Sequence, residues 1–165
     1  SSTSDFEDIL TFKETCILKG DSFISSSPIL LHEYSDNFLS PEAYRIQSAT
    51  ILFNMGLTCH LSFMRSNGIN DALSNAMTLY EMACSLGLQG SQDEDSSQIV
   101  MAALNNMGEL HHELGNFKRS KSYLEDLTAY ILSLDDPLEQ EEADERHGFM
   151  LNAMVLRSSH GAAAA

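Results

Sequence analysis

Positive charge is what this chain has least of. Nine Lys and Arg residues stand against 24 Asp and Glu, for a formal charge of -15. A field of that sign repels phosphate backbones and anionic lipid surfaces, so nucleic acid is not an expected partner. Long apolar runs are missing as well: each is broken by polar residues well short of the roughly 18 that would suggest a membrane span. The opening SSTSDFEDIL lacks the basic-then-apolar pattern of a secretory signal. Cysteine is sparse and odd in number, with Cys16, Cys59 and Cys84 sharing no close spacing, and no Asn-x-Ser/Thr sequon occurs. A secretory disulfide scaffold is therefore not indicated. The expectation is an intracellular, reducing compartment, the cytoplasm first. An organelle stays open, because a chain that opens without Met admits a trimmed leader.

Catalytic signatures are also lacking. There is no Gly-rich phosphate loop, nucleophile elbow or zinc-protease helix, so no catalytic residue, cofactor or metal is expected. Glu109-x-x-His112 has the spacing that puts a carboxylate and an imidazole on one helix face, as in di-metal helical bundles. The site would need a second such pair and two further acids, and the upstream repeat carries Leu57 where Glu109 stands. Cys59 and His60 are adjacent, and neighbours on a helix point about 100° apart, too divergent to chelate one ion. Cys59 and Cys84 fall on apolar stripes with no local positive charge to stabilise a thiolate.

What is present is enough apolar material, 43% of 165 residues, for one domain with its own core, and a charged fraction of 20% that argues against disorder. Within it a pattern recurs. Asn54-Met55-Gly56 and His60 return 52 residues later as Asn106-Met107-Gly108 and His112, and a Leu precedes each Gly by four positions (Leu52, Leu104). Both copies lie in runs of helical periodicity and lead into a second such run, the pattern of a repeated helical hairpin. A mid-helix Gly costs about 1 kcal/mol relative to Ala. Its appearance twice at one phase predicts a partner helix crossing at Gly56 and at Gly108.

In LNNMGELHHELGNFKRSKSYLEDL, the spacing of Leu104, Gly108, Gly115, Ser120 and Leu124 resembles a tetratricopeptide repeat. His111 stands where that family prefers an aromatic and Ser120 where it prefers Ala. The first copy, with Gly56, Ala76, Tyr80 and Ala83, fits as a variant lengthened by roughly two helical turns around its connection. Through ILFNMGLTCHL, GFMLNAMVLR and the Ala tail, the whole chain is also similar to helical-repeat proteins of diatoms, a likeness that implies no activity. The tetratricopeptide resemblance implies that Asn54 and Asn106, two residues before the small residue of each first helix, hydrogen-bond the backbone or end of a bound peptide. Bonding to a neighbouring helix or loop is the structural alternative. The lysines that such proteins use against a C-terminal carboxylate are replaced by Phe53, Leu57, Asn105 and Glu109, so a carboxylate ligand is not implied.

Along the chain, residues 1–40 read as an irregular N-terminal segment with room for short strands around Lys19-Gly20-Asp21, and residues 41–165 as the helical-repeat domain. Ser40-Pro41-Glu42 predicts a helix start, with a stop near Ser66-Asn67-Gly68. Ile46, Ala49, Phe53, Leu57 and His60 form one face of this helix, and Leu52, Met55, Cys59 and Phe63 another, which predicts burial on both sides. A second helix is expected over residues 69–86. The acidic GSQDEDSS then forms a loop, from which Asp95 caps a third helix over residues 96–114. Gly115-Asn116 makes a turn and caps a fourth over residues 117–134. Asp136-Pro137 opens a fifth, with a break at Gly148 and a polar first half, EQEEADER.

The expected fold is all-α: two antiparallel helical hairpins in a tetratricopeptide-like superhelix, with a C-terminal capping helix. The expected function is a protein-interaction module, in which Asn54, His60, Asn105, Asn106, Glu109, His112 and Glu113 line a concave surface. Glu109 and Glu113 there favour a basic or neutral peptide or protein segment. One rival is a structural subunit or assembly factor of a larger complex, docking through its terminal segments. A metal-dependent enzyme using Glu109 and His112 is the other.

Overall fold

The computed structural model describes residues 25–30, 40–65, 70–90, 94–134 and 146–156. Helix α1 (Pro41–Arg65) opens as its first residues require. Ser40 Oγ accepts the Ala43 N–H at 3.1 Å, Pro41 has no N–H to leave orphaned, and Glu42 lies in the positive first turn. Helices α2 (Asn70–Gly87), α3 (Glu94–Glu113) and α4 (Phe117–Ser133) follow. Residues 146–156 form α5. All regular structure among the described residues is helical, and α1 packs on α2, α2 on α3, and α3 on α4. No described helix is long and apolar enough to cross a membrane.

Arg45 ties three of these helices at one end. Its guanidinium donates to the carbonyls of Leu86 and Gly87, the acceptors left without intrahelical donors at the end of α2, and to Ser96 Oγ of α3 at 3.0 Å. Its own Glu42, three residues back, supplies the counter-charge.

Both repeated glycines sit at crossings. A Cβ on Gly56 would lie 3.0 Å from the Tyr80 ring and 3.3 Å from Leu79 Cβ, both on α2. One on Gly108 would lie 2.8 Å from Leu124 Cδ2 on α4. Bare backbone is therefore what lets each hairpin close. From Gly56 to Tyr80 is 24 residues and from Gly108 to Leu124 is 16, so the first hairpin is longer by 8 residues, about two helical turns. The turn between α3 and α4 is a Schellman motif: Gly115 takes φ +69°, and its N–H and that of Asn116 donate to the His112 and His111 carbonyls at 2.9 and 2.8 Å.

Several expectations are corrected. Helix α1 buries Ile46, Ala49, Phe53, Leu57 and His60, but on its second face Met55 is exposed and Leu52, Cys59 and Phe63 are only half-buried. The enclosed helix is α3, buried almost continuously from Ser96 to His111. Enough of its residues are small or neutral polar to accept neighbours on all sides. Asp95 lies inside α3, which starts at Glu94, so it is not the cap. Asn116 occupies the cap position of α4 without a side-chain bond; its carbonyl accepts the Arg119 and Ser120 N–H groups instead. Helix α5 runs unbroken through Gly148 and buries Phe149, Asn152, Ala153 and Leu156. The expected short strands around Lys19-Gly20-Asp21, the stop at residues 66–68, the capping signal at Asp136-Pro137 and the Ala tail lie outside the described residues.

Candidate functional site: two carboxamide clamps on an extended segment

Asn54 of α1 and Asn106 of α3, equivalent by the 52-residue repeat, each grip one residue of the non-helical segment 25–30. Asn54 Oδ1 accepts the Ile29 N–H at 3.0 Å while its Nδ2 donates to the Ile29 carbonyl at 2.8 Å. Asn106 Oδ1 accepts the Ser25 N–H at 2.9 Å and its Nδ2 donates to the Ser25 carbonyl at 3.2 Å. A carboxamide presents one donor and one acceptor edge, as a backbone residue does, so each pair reproduces a strand-like exchange of two bonds. The gripped residues are four apart. Four residues of extended chain reach at most about 13–14 Å, comfortably enough to pass between neighbouring helices packed at roughly 8–10 Å. Chain direction runs from the second hairpin's clamp to the first's. Ile29 packs against the core, and the next side chain, Leu30, faces solvent at 80% exposure.

The second clamp is anchored in a buried chain of donors. Asn152 of α5 donates to Asn105 Oδ1 at 2.7 Å and to Glu109 Oε1 at 2.8 Å. Asn105 donates to Asn106 Oδ1 at 3.2 Å, and Asn106 to the Tyr80 hydroxyl at 3.2 Å. The Tyr80 hydroxyl lies 3.2 Å from His60 Nδ1. Burial lowers the His60 pKa to about 4, so its ring is neutral near pH 7. The Tyr80 hydroxyl thus accepts from Asn106 and shares a second hydrogen bond with His60 Nδ1. Burial also pushes the Tyr80 phenol upward, keeping it protonated. Both donors and both acceptor sites of Asn106 are thereby used, which fixes its amide orientation. Asn105, Asn106, Glu109, Tyr80 and His60 are all fully buried.

Of the seven residues expected to line a concave face, Asn54 and Asn106 hold the segment directly. Asn105, Glu109 and His60 stand behind the second clamp, enclosed rather than presented to solvent. His112 is half-buried and edge-on to the Phe117 ring at 5.4 Å. Glu113 is exposed; desolvation, and after it the Glu109 carboxylate, raise its pKa. Of the two acids only Glu113 meets solvent. Among the described residues no three His, Cys, Asp or Glu side chains converge as a metal-ligand group. His111, standing where the resemblance expects an aromatic, stacks on Tyr123 with ring centroids 5.5 Å apart and planes within 7°. Its pKa is lowered, first by burial and then by Arg119. Cys84 is buried, and its thiol is pushed up to about 11 by that burial and then by Asp126.

Four participants escape sequence reasoning. Asn152 left a signal, a lone carboxamide in the apolar run GFMLNAMVLR, since a polar residue on a buried face needs partners. Tyr80 reads as an ordinary stripe residue, and nothing local marks Ser25 and Ile29 as the gripped pair. Comparison with models of known protein families, with curated proteins and with solved structures returned no match.

Proposed function

We propose that this protein is an interaction module of the tetratricopeptide-like kind, which binds an extended peptide or protein segment across the first helices of its two hairpins by reading backbone at Asn54 and Asn106. The supporting observation is that both repeat-equivalent carboxamides engage both backbone groups of a residue in a non-helical segment. Backbone-directed bonds supply affinity with little demand on ligand sequence, and flanking side-chain contacts supply selectivity. A neutral or basic segment suits the strongly acidic chain. The proposal assigns no catalytic residue and no cofactor.

A random-peptide selection on the purified chain tests this. Selected ligands are expected to lose binding when two backbone nitrogens four residues apart are methylated, and when Asn54 and Asn106 are both changed to Ala. Retention of affinity through both changes would overturn the reading. The alternative, a structural subunit of a larger assembly, has its own observation: Leu151 and Met154 of α5, with Tyr44, Ile51 and Met55 of α1, are exposed apolar side chains. Solution size in native extract separates that role from a free adaptor.

A further inference from the structure

Resting on that reading of the groove, we infer that residues 25–30 are the module's own resident ligand, so that a partner must present a segment of the same chemistry and displace them. The partner segment is neutral and extended. It offers free N–H and C=O groups at two positions four apart, with a small residue at the first and a branched aliphatic at the second.

Each part of this description comes from how the chain fills its own clamps. At the first position Ser25 is half-buried and offers N–H and C=O to Asn106. At the second, Ile29 offers the same pair to Asn54 while its side chain packs against the core. Between them stand Ser26, Ser27 and Pro28. Pro28 has no N–H to donate, and its fixed φ favours extended chain, so proline is accepted between the clamps but excluded at either gripped position. None of residues 25–30 is charged. Asn106 has no capacity left for another ligand while Ser25 is in place, because its four hydrogen-bonding positions are taken. Occupation by the chain itself and by a partner is therefore mutually exclusive at the second clamp.

Attachment sets the strength of this competition. Only 12 positions separate Ile29 from Pro41, the start of α1. A tether of that length holds a segment at an effective concentration on the order of millimolar. A free peptide making the same contacts meets a groove vacant only a small fraction of the time, and its apparent affinity falls by that fraction. The self-bound segment thus works as a threshold: weak, non-cognate segments are refused, and a partner with further contacts outside the clamps gains entry.

The test uses the full chain and a labelled peptide of residues 22–31, SFISSSPILL. Changing Ser25→Pro together with Ile29→Pro removes both gripped N–H groups in the tethered copy. This variant is expected to bind the labelled peptide at least about tenfold more tightly than the unchanged chain, in line with the vacancy penalty. Adding Asn54→Ala and Asn106→Ala should abolish the gain. Equal affinity in variant and unchanged chain, with binding still lost on the Asn substitutions, would overturn self-occupation while leaving the groove reading intact. A folded variant that binds neither this peptide nor a library-selected one would overturn both. Should the double-Pro variant fail to fold, the unchanged chain decides: excess SFISSSPILL must accelerate hydrogen exchange at the Ile29 amide, and exchange unaffected by saturating peptide sinks the inference.

Discussion

Asn106 donates to the Tyr80 hydroxyl at 3.2 Å, joining the groove-facing amide of the second hairpin to a ring that also closes the crossing of the first. The Tyr80 ring is the surface that a Cβ on Gly56 would strike, and its hydroxyl reaches on to His60 of α1. One side chain thus couples packing at the first crossing to the orientation of the second clamp.

Replacing Tyr80 with Phe keeps the ring against Gly56 but removes the hydroxyl. A donor of Asn106 and Nδ1 of His60 then lose their shared partner, and stability should fall by about 1–3 kcal/mol. Chemical denaturation measures this. A loss near zero would show that the buried bonds are incidental to the fold.

The crossings are tested at Gly108, where a side chain would press on the buried Leu124. Gly108→Leu is expected to destabilise the chain by about 1–3 kcal/mol through overpacking. An unchanged denaturation midpoint would mean that α4 does not need the bare backbone there.

Acid should weaken the fold through His60. In the unfolded chain this imidazole titrates near its ordinary value of 6.5, whereas burial lowers it to about 4 in the folded chain. Between those values the unfolded chain binds the extra proton. The contribution is therefore full above pH 6.5, shrinks as pH falls toward 4, and reaches an upper bound of about 3 kcal/mol. The part of the pH–stability curve that belongs to His60 is the difference between the wild type and His60→Gln. Parallel curves from pH 7 to pH 4 would contradict the buried neutral imidazole.

Asn152→Leu removes the donor shared by Asn105 and Glu109, both fully buried. A loss of about 1–3 kcal/mol is expected, since two buried acceptors forfeit their shared hydrogen-bond donor. Thermal or chemical denaturation reads it, and neutral behaviour would show that α5 is held by its apolar contacts alone.

How much of this was legible in the sequence varies with the kind of signal. Two helix boundaries carried by chemistry were readable, Ser40-Pro41 opening α1 and Gly115 ending α3 through a positive φ. The caps expected at Asp95 and Asn116 were not, since Asp95 lies inside α3 and Asn116 forms no side-chain cap bond. The repeated Gly56 and Gly108 announced the crossings, because a costly residue at one phase twice has few bland explanations. Which helix would be enclosed was not readable. Helix α1 is the more apolar of the two, yet α3 is surrounded, since burial depends on how many neighbours a helix acquires and not on its own composition. Asn54 and Asn106 were legible as residues with a polar task, but their occupant was not. Backbone recognition leaves no mark on the side chains of the segment recognised, so Ser25 and Ile29 look like any residues of an irregular stretch.

Amide hydrogen exchange at Ser25 and Ile29, followed residue by residue in solution, tests the clamps most directly. Both amides should exchange far more slowly than in the isolated peptide SFISSSPILL. Asn106→Ala should release chiefly Ser25, and Asn54→Ala chiefly Ile29. Exchange at free-peptide rates in the unchanged chain, or protection indifferent to both Asn substitutions, would contradict the claim that these two carboxamides hold an extended backbone.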